Sequence, residues 1–476
     1  MESRSIFSNL SPLDHRYYLA NREIFEQLES HMSEDAVLKY CLAAESSLLK
    51  SHIDYFFGGN ETLKTAVEEA SEKITPEEIY REEEKTQHNI RALVNVFQRF
   101  LPEKLKPYIH LGATSVDILD TAAAMRIRDA VRKVVLPLLL RIEALLCDIA
   151  ETYADTPQIG RTHGQHAVPV TVGFAFSEYV ARLGKGIEEL EARSKELRGK
   201  LAGAVGAYNA TSLLIDDPEA LEKKYLSYLG LKPSEHATQI VEPEYLLRLL
   251  LEMNVIFGIL ANLADDLRNL QRSEIGEVSE HFSSSQVGSS TMPQKRNPWN
   301  SEHVKSLWKA FAPRVMTFYL DQISEHQRDL TNSASSRFVA DYLGGFCAAA
   351  ERMRRILGSL YVDVEKCREN LGMRGDMVLA EAAYIVIAAG GEPEGHEKVR
   401  RATLQAQQSG ESLVSMLKKD PSLWREISKR LEAFTGTGAE EFFAHPELYR
   451  GKSAEKARHL AQKYKNIISK IEDDLP

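Results

Sequence analysis

A chain of 476 residues, 43% hydrophobic and 27% charged, has the composition of a soluble globular protein and the length for two or three domains around an extensive core. Its net charge of −10 excludes the broad basic surface that nonspecific nucleic-acid binding needs, while leaving room for a locally positive pocket. Cys41, Cys147, Cys347 and Cys367 are scattered with no Cys-x-x-Cys pair, which points away from zinc or redox chemistry and toward buried thiols in a reducing compartment.

The opening Met1-Glu2-Ser3-Arg4 lacks the apolar core of a signal peptide, and the most apolar run, 134–140, ends at Arg141 and is too short to span a bilayer. The expectation is a cytoplasmic protein with neither a membrane nor a nucleic acid as partner.

Along the chain the dominant period is helical. The acidic run 82–84 is expected to be a solvated helix face, and Thr86-Gln87-His88-Asn89 follows it as a first polar cluster. A second cluster, His110-Leu111-Gly112-Ala113-Thr114-Ser115-Val116-Asp117, is predicted as a turn before a helix over 116–135. Thr114 and Ser115 suit its N-cap, and a helix N-terminus also receives a carboxylate. His110 is read as a supporting member of a site there.

A long helix is predicted over 134–153. The segment 155–164, with Pro157, Gly160 and Gly164, reads as a loop. It carries Gly160-Arg161-Thr162-His163-Gly164-Gln165-His166, where flanking glycines let the backbone approach a ligand while the imidazole of His163 points at it. A helix over 171–198 comes next, then an interrupted excursion over 200–234. From 245 to 270, Leu246, Leu249, Leu250, Met253, Ile256, Phe257, Leu260, Leu263 and Leu267 recur at three- and four-residue steps. That is a helix of roughly 40 Å.

Helices this long and apolar are staves of a bundle, and their uncovered faces favour oligomers. No repeated alternation demands a central sheet. The bundle is expected to end near 370–375, followed by shorter helices over 377–389 and 395–408. The predicted fold is all-α, with an N-terminal helical domain (1–111), a central long-helix bundle domain (112–369) and a small helical C-terminal domain (370–476).

The densest chemistry is in Gly288-Ser289-Ser290-Thr291-Met292-Pro293-Gln294-Lys295-Arg296-Asn297-Pro298, with Glu302 four positions on. Small residues at 288–291 leave N–H groups accessible, and the two prolines keep the stretch out of a helix interior. Hydroxyls and cations on such a loop suit closure over an anion. Its residue order resembles the signature of the fumarase/aspartase lyase superfamily, and the three polar clusters above look like that group's other shared regions, in the same order.

Features outside them resemble the adenylosuccinate lyase family in particular. These are Ser11-Pro12-Leu13-Asp14-His15-Arg16-Tyr17, Gly203-Ala204-Val205-Gly206, Thr238-Gln239-Ile240, and Gln327-Arg328-Asp329-Leu330-Thr331-Asn332-Ser333 followed by Arg337. Departures from the family pattern are Asn89 and Asn332, each in place of a usual Asp, and Gln294, which resembles argininosuccinate lyase.

The resemblance implies an anti elimination that releases fumarate from a nucleotide substrate. Ser289 is matched to the general base, and His163 to the general acid, with Glu302 as its carboxylate partner. Lys295 and Asn297 would stabilise the doubly charged aci-carboxylate, while Thr114, Ser115 and Gln239 hold the carboxylates. Arg16, Arg328 and Arg337, aided by Tyr17 and Ser333, would hold the phosphate. His88, Thr162, Ser290 and Met292 complete the implied binding set.

A bend is expected at 333–336, since Arg328 and Arg337 are too far apart to share one face of a short straight helix. No metal or organic cofactor is implied. The resemblance further implies a homotetramer whose core is the bundle and whose active sites are shared between subunits, and a second substrate, succinyl-aminoimidazole-carboxamide ribotide. Two alternatives stay open: another lyase of the superfamily, acting on argininosuccinate, aspartate or a carboxymuconate, and a catalytically retired helical scaffold.

Overall fold

The computed structural model describes residues 5–282 and 291–476. Ser289 and Ser290 therefore lie outside the described residues. The fold is all-α, and among the described residues strands occur only as three two-stranded pairs.

The two helices expected over 116–135 and 134–153 are one rod. Ser115–Ala130 passes through a π-helical turn, Val131–Val135, into Leu136–Thr152. Pro137 explains the turn: it lacks an N–H for the carbonyl of Lys133, and its ring would clash with that carbonyl in a regular α-helix. The helix at Glu244–Leu270 ends at the residue predicted and begins one earlier. It has the length and apolarity of a membrane span, yet Leu249, Leu250, Met253, Ile256, Phe257 and Leu260 are buried in the protein core. It is a bundle stave.

The helix Val172–Lys195 starts where the Thr171 hydroxyl accepts the Phe174 N–H at 3.2 Å. It packs on the 136–152 rod through glycines that admit close approach, since a Cβ at Gly173 would lie 2.3 Å from the Ala150 carbonyl oxygen. The last helix, Ser453–Asp474, lies against both, placing Ala461, Tyr464, Ile468 and Ile471 in the main core. A second core gathers Leu379, Ala383, Ile387, Leu413, Leu417, Ile427, Leu431 and Phe442.

Glu143 sits inside this three-helix contact. It is 1% exposed, neither carboxylate oxygen has a hydrogen-bond partner, and the Tyr464 ring and Gly184 close over it. Burial raises its pKa well above the ordinary 4.5. Above that ordinary value the unfolded chain releases a proton that the folded chain retains, so this group makes the fold lose stability as pH rises. Glu143→Met is expected to stabilise the protein by about 1–3 kcal/mol at pH 8, and by less at pH 4. Melting curves at the two pH values read this out, and an equal shift at both would sink it.

Two local expectations are corrected. The segment 155–164 is no loop: Pro157–Thr162 pairs antiparallel with Gln165–Thr171, Thr162 opposite Gln165. The residues between them, His163 and Gly164, have φ of +54° and +72°, the backbone of a type I′ hairpin turn. The acidic run is not simply solvated either. Glu82 accepts from Asn95 Nδ2 at 3.1 Å and pairs with Arg99, pinning the helix Pro76–Thr86 to Asn89–Phe100.

Candidate active site

The turn before Ser115 is built under strain. His110 has φ +58° and Gly112 +78°, and non-glycine residues adopt the left-handed region only where their surroundings hold them there. What holds His110 is Glu45, fully buried on the helix Glu34–Phe56, whose Oε1 lies 2.6 Å from His110 Nδ1. Burial alone would lower the imidazole pKa, but the hydrogen bond and charge of Glu45 outweigh it and raise it. His110 therefore braces the turn.

Thr114 is the N-cap residue, and its N–H donates to Asp117 Oδ2 at 2.8 Å. Asp117 is fully buried in an ion pair with the equally buried Lys200, and its Oδ1 also accepts from Ala202 N–H at 3.1 Å and Gly203 N–H at 3.3 Å. The helix end that carries Thr114 and Ser115 is thus stapled to the glycine-rich 203–206 segment.

That segment meets the next one without a gap. Gly206 has φ +84°, and a Cβ there would lie 2.0 Å from the Ala237 carbonyl oxygen, so only glycine fits. Two residues on, Gln239 donates its N–H to the Gln327 carbonyl at 3.1 Å, and its Oε1 accepts from Arg328 Nη1 at 2.9 Å. One chain therefore links the Thr114–Ser115 turn, Gln239 and Arg328, and a cavity of about 220 Å³ carries Arg328 and Ser333 on its wall.

The hairpin is held at its base. Arg161 makes a forked pair with the fully buried Glu277, at 3.1 and 2.5 Å, while Gln158 Nε2 and Asn370 Nδ2 donate to the same carboxylate at 2.7 and 2.8 Å. A forked Arg–carboxylate pair fixes orientation as well as distance. Arg161 is committed to scaffolding, and Thr162 and His163 stand exposed at the tip. Burial, with the charges of Arg161 and Arg374, lowers the pKa of the neighbouring His166.

Glu302 lies in the first turn of Trp299–Phe311. The end of that helix is clamped by Glu280, whose Oε1 accepts from Ser301 N–H at 2.7 Å and Oε2 from Asn300 N–H at 3.2 Å. Lys295 turns back through its N–H onto the Met292 carbonyl at 3.0 Å, and its side chain is exposed. Glu302 is exposed too, and within one chain no hydrogen bond or ion pair joins it to His163.

Similarity to known proteins fits this layout. A lyase family model matches residues 49–312, and an adenylosuccinate lyase C-terminal model matches 324–438. Adenylosuccinate lyases of Pyrococcus abyssi and Pyrococcus horikoshii are 32% and 33% identical, each aligned over 97% of this chain and 98% of the relative. The chain belongs to the adenylosuccinate lyase family. Among solved structures, a 3-carboxy-cis,cis-muconate lactonizing enzyme from Pseudomonas putida superposes with a TM-score of 0.76 at 24% identity, covering 96% of this chain and 99% of that one. A fumarate lyase from Mesorhizobium gives 0.76 at 21% identity over 92% and 97%. These two share the fold.

In this family member the remaining motif residues are spread over several elements. Arg16 opens the short helix Arg16–Ala20 and is exposed, and the Tyr17 hydroxyl lies 3.0 Å from Nε2 of His303, the neighbour of Glu302. Arg352 completes this corner, stacking over Trp299 at 5.1 Å and donating to Asn300 Oδ1 at 2.7 Å. His303 and Arg352 escaped the sequence reading because neither belongs to a motif; only the position of His303 beside Glu302 hinted at it.

Arg337 is exposed on the short 3-10 turn Ser335–Phe338, which overlaps the bend expected at 333–336. Asn332 donates its amide to the Asp321 carbonyl at 2.7 Å, a bond that an aspartate cannot make. His88 caps Asn89–Phe100, its Nδ1 accepting the Arg91 N–H at 3.3 Å. Asn297 is half-buried and Met292 exposed at the edge of the described loop.

Proposed function

We propose that the protein is a C–N lyase that cleaves adenylosuccinate to AMP and fumarate by anti β-elimination. What supports this is near full-length similarity to proteins named adenylosuccinate lyase, together with the presence in this chain of Ser289, His163, Lys295, Asn297 and Glu302. In the proposed reaction Ser289 Oγ takes the proton from the carbon next to a carboxylate. The electron pair spreads onto that carboxylate as an aci form, facing Lys295 and Asn297, with Thr114, Ser115 and Gln239 on the carboxylates. The pair then returns to form the fumarate double bond as the C–N bond breaks, and His163 gives its proton to the departing nitrogen. Fixed charges aimed at the developing dianion supply the largest stabilisation.

Arg16, Arg328 and Arg337, with Tyr17 and Ser333, form the proposed phosphate site, since guanidinium groups bind phosphate in forked pairs. The same elimination from succinyl-aminoimidazole-carboxamide ribotide is part of this proposal. So is a homotetramer in which other subunits bring Glu302 to His163. The four cysteines, all buried and free, suit a cytoplasmic protein.

The test is to incubate the purified protein with adenylosuccinate and follow fumarate and AMP. Release of both supports the reading; cleavage of argininosuccinate alone moves the substrate; no lyase activity leaves the retired scaffold. Arg16→Ala is expected to raise KM with kcat little changed, as loss of uniform binding does. A defect in kcat alone would remove Arg16 from the phosphate site.

A further inference from the structure

We propose that Asp120 is a positioning residue of this site: its carboxylate tethers the 238–241 segment, so that Gln239, and through it Arg328, keep their orientation toward substrate. The proposal rests on the lyase reading above. Asp120 lies on the helix Ser115–Ala130, and its Oδ2 accepts the Val241 N–H at 2.9 Å.

The tethered segment has no helix or strand of its own. It is held by the close approach of Gly206 to Ala237, by the Gln239 N–H on the Gln327 carbonyl, and by the Thr238 N–H on the Ile240 carbonyl at 3.0 Å. Those are contacts of neutral backbone. Asp120 supplies a charged acceptor, and a hydrogen bond to an ionised group is about twice as strong as a neutral one. Without it, Gln239 and Arg328 would be tied to the Thr114–Ser115 end of the helix only indirectly, through Asp117 on the 202–203 backbone and the contact of Gly206 with Ala237.

Asp120 also lines the cavity that Arg328 and Ser333 share. Burial pushes its carboxyl up to about 6, with Asp117 adding to the rise and the Val241 bond, Lys200 and Arg328 opposing it. Arg198, Glu242 and Asp329 are the other charged groups on the cavity wall. Above that pH the carboxylate is ionised and the tether is charge-assisted. As pH falls through it, the group takes up a proton and the tether weakens.

The expected results follow this sign. Wild-type KM for adenylosuccinate rises as pH drops below about 6, while kcat changes less. Asp120→Ala raises KM about tenfold at pH 8 with less than about a threefold change in kcat, the pattern of lost uniform binding. Asp120→Asn, whose uncharged amide oxygen still accepts the Val241 N–H, gives a KM at pH 8 between those of wild type and Asp120→Ala, and its KM rises less than that of wild type as pH drops through about 6. Hydrogen exchange of a peptide spanning 237–243 is faster in Asp120→Ala than in wild type.

A rise in KM through about pH 6 as large in Asp120→Asn as in wild type overturns the proposal, since the substrate phosphate's own titration near that pH is common to both. So does unchanged KM and exchange in Asp120→Ala. A merely structural role would lower the melting temperature and leave the pH profile of KM alone. If the wild type does not turn over adenylosuccinate, the lyase reading fails by itself, and hydrogen exchange still decides whether Asp120 holds the segment. If Asp120→Ala does not fold, the pH dependence of wild type and Asp120→Asn decides it.

Discussion

Ser289→Ala is expected to lower kcat by about a hundred- to ten-thousandfold with little change in KM, and His163→Ala by a similar factor, the usual cost of deleting a general base or acid. The two side chains face opposite difficulties. A serine hydroxyl in water is too weakly acidic to serve as a base, so Ser289 needs its alkoxide stabilised by nearby N–H groups and by Lys295, six residues on. Imidazoles as a class exchange protons near neutral pH, so the demand on His163 is position.

The hairpin meets that demand. A left-handed φ at His163 and at Gly164 makes the turn as tight as a hairpin allows, and Glu277 locks the strand behind it through Arg161 and Gln158. Steady-state kinetics on both variants, with circular dichroism to confirm folding, check the prediction. A loss below about tenfold, short of the acid–base range, removes that residue from its role.

The long helices were legible because their burial period is that of the sequence. Leu249, Leu250, Met253, Ile256, Phe257 and Leu260 are buried in the order their spacing predicts, and a run of nearly thirty residues averages out local exceptions. The 157–171 hairpin was not, since Pro157, Gly160 and Gly164 read as loop punctuation. Its strands rest on the bulge between Ile159 and Arg161 and on Glu277, which is remote in sequence.

Motif residues were legible as types but not as partners. Arg161 looked like part of the catalytic cluster and is spent on Glu277; His110 was legible as a supporting residue, but not its partner Glu45, against which it braces a strained turn. Asp120 gave no signal at all, because an aspartate inside an apolar helix reads as an exposed position until the segment that packs on it is known.

The exposure of His163, the proposed acid, and of Glu302, its proposed partner, leads to the second large effect. His163 at the hairpin tip and Glu302 on its helix are both open to solvent and unjoined within one chain, although a histidine paired with a carboxylate is what the proposed acid requires. Apolar side chains are also left uncovered, among them Val255 on Glu244–Leu270 and Met316 and Leu320 on Val315–Leu320. Both facts are accounted for if neighbouring subunits cover those faces and carry the 291–302 segment of one chain to the hairpin of another.

Ser289→Ala and His163→Ala, each inactive alone, are then expected to regain activity when mixed and allowed to exchange subunits. A site drawing those two residues from different chains is intact in about a quarter of random combinations, so recovery should approach roughly 25% of wild type. Light scattering on the same samples reports the oligomer. If the mixture stays inactive after demonstrated exchange, Ser289 and His163 act from one chain, and the shared-site proposal falls. If the protein is a fully active monomer of 53.6 kDa, the tetramer falls with it, and the gap between His163 and Glu302 must be closed by a movement within one subunit.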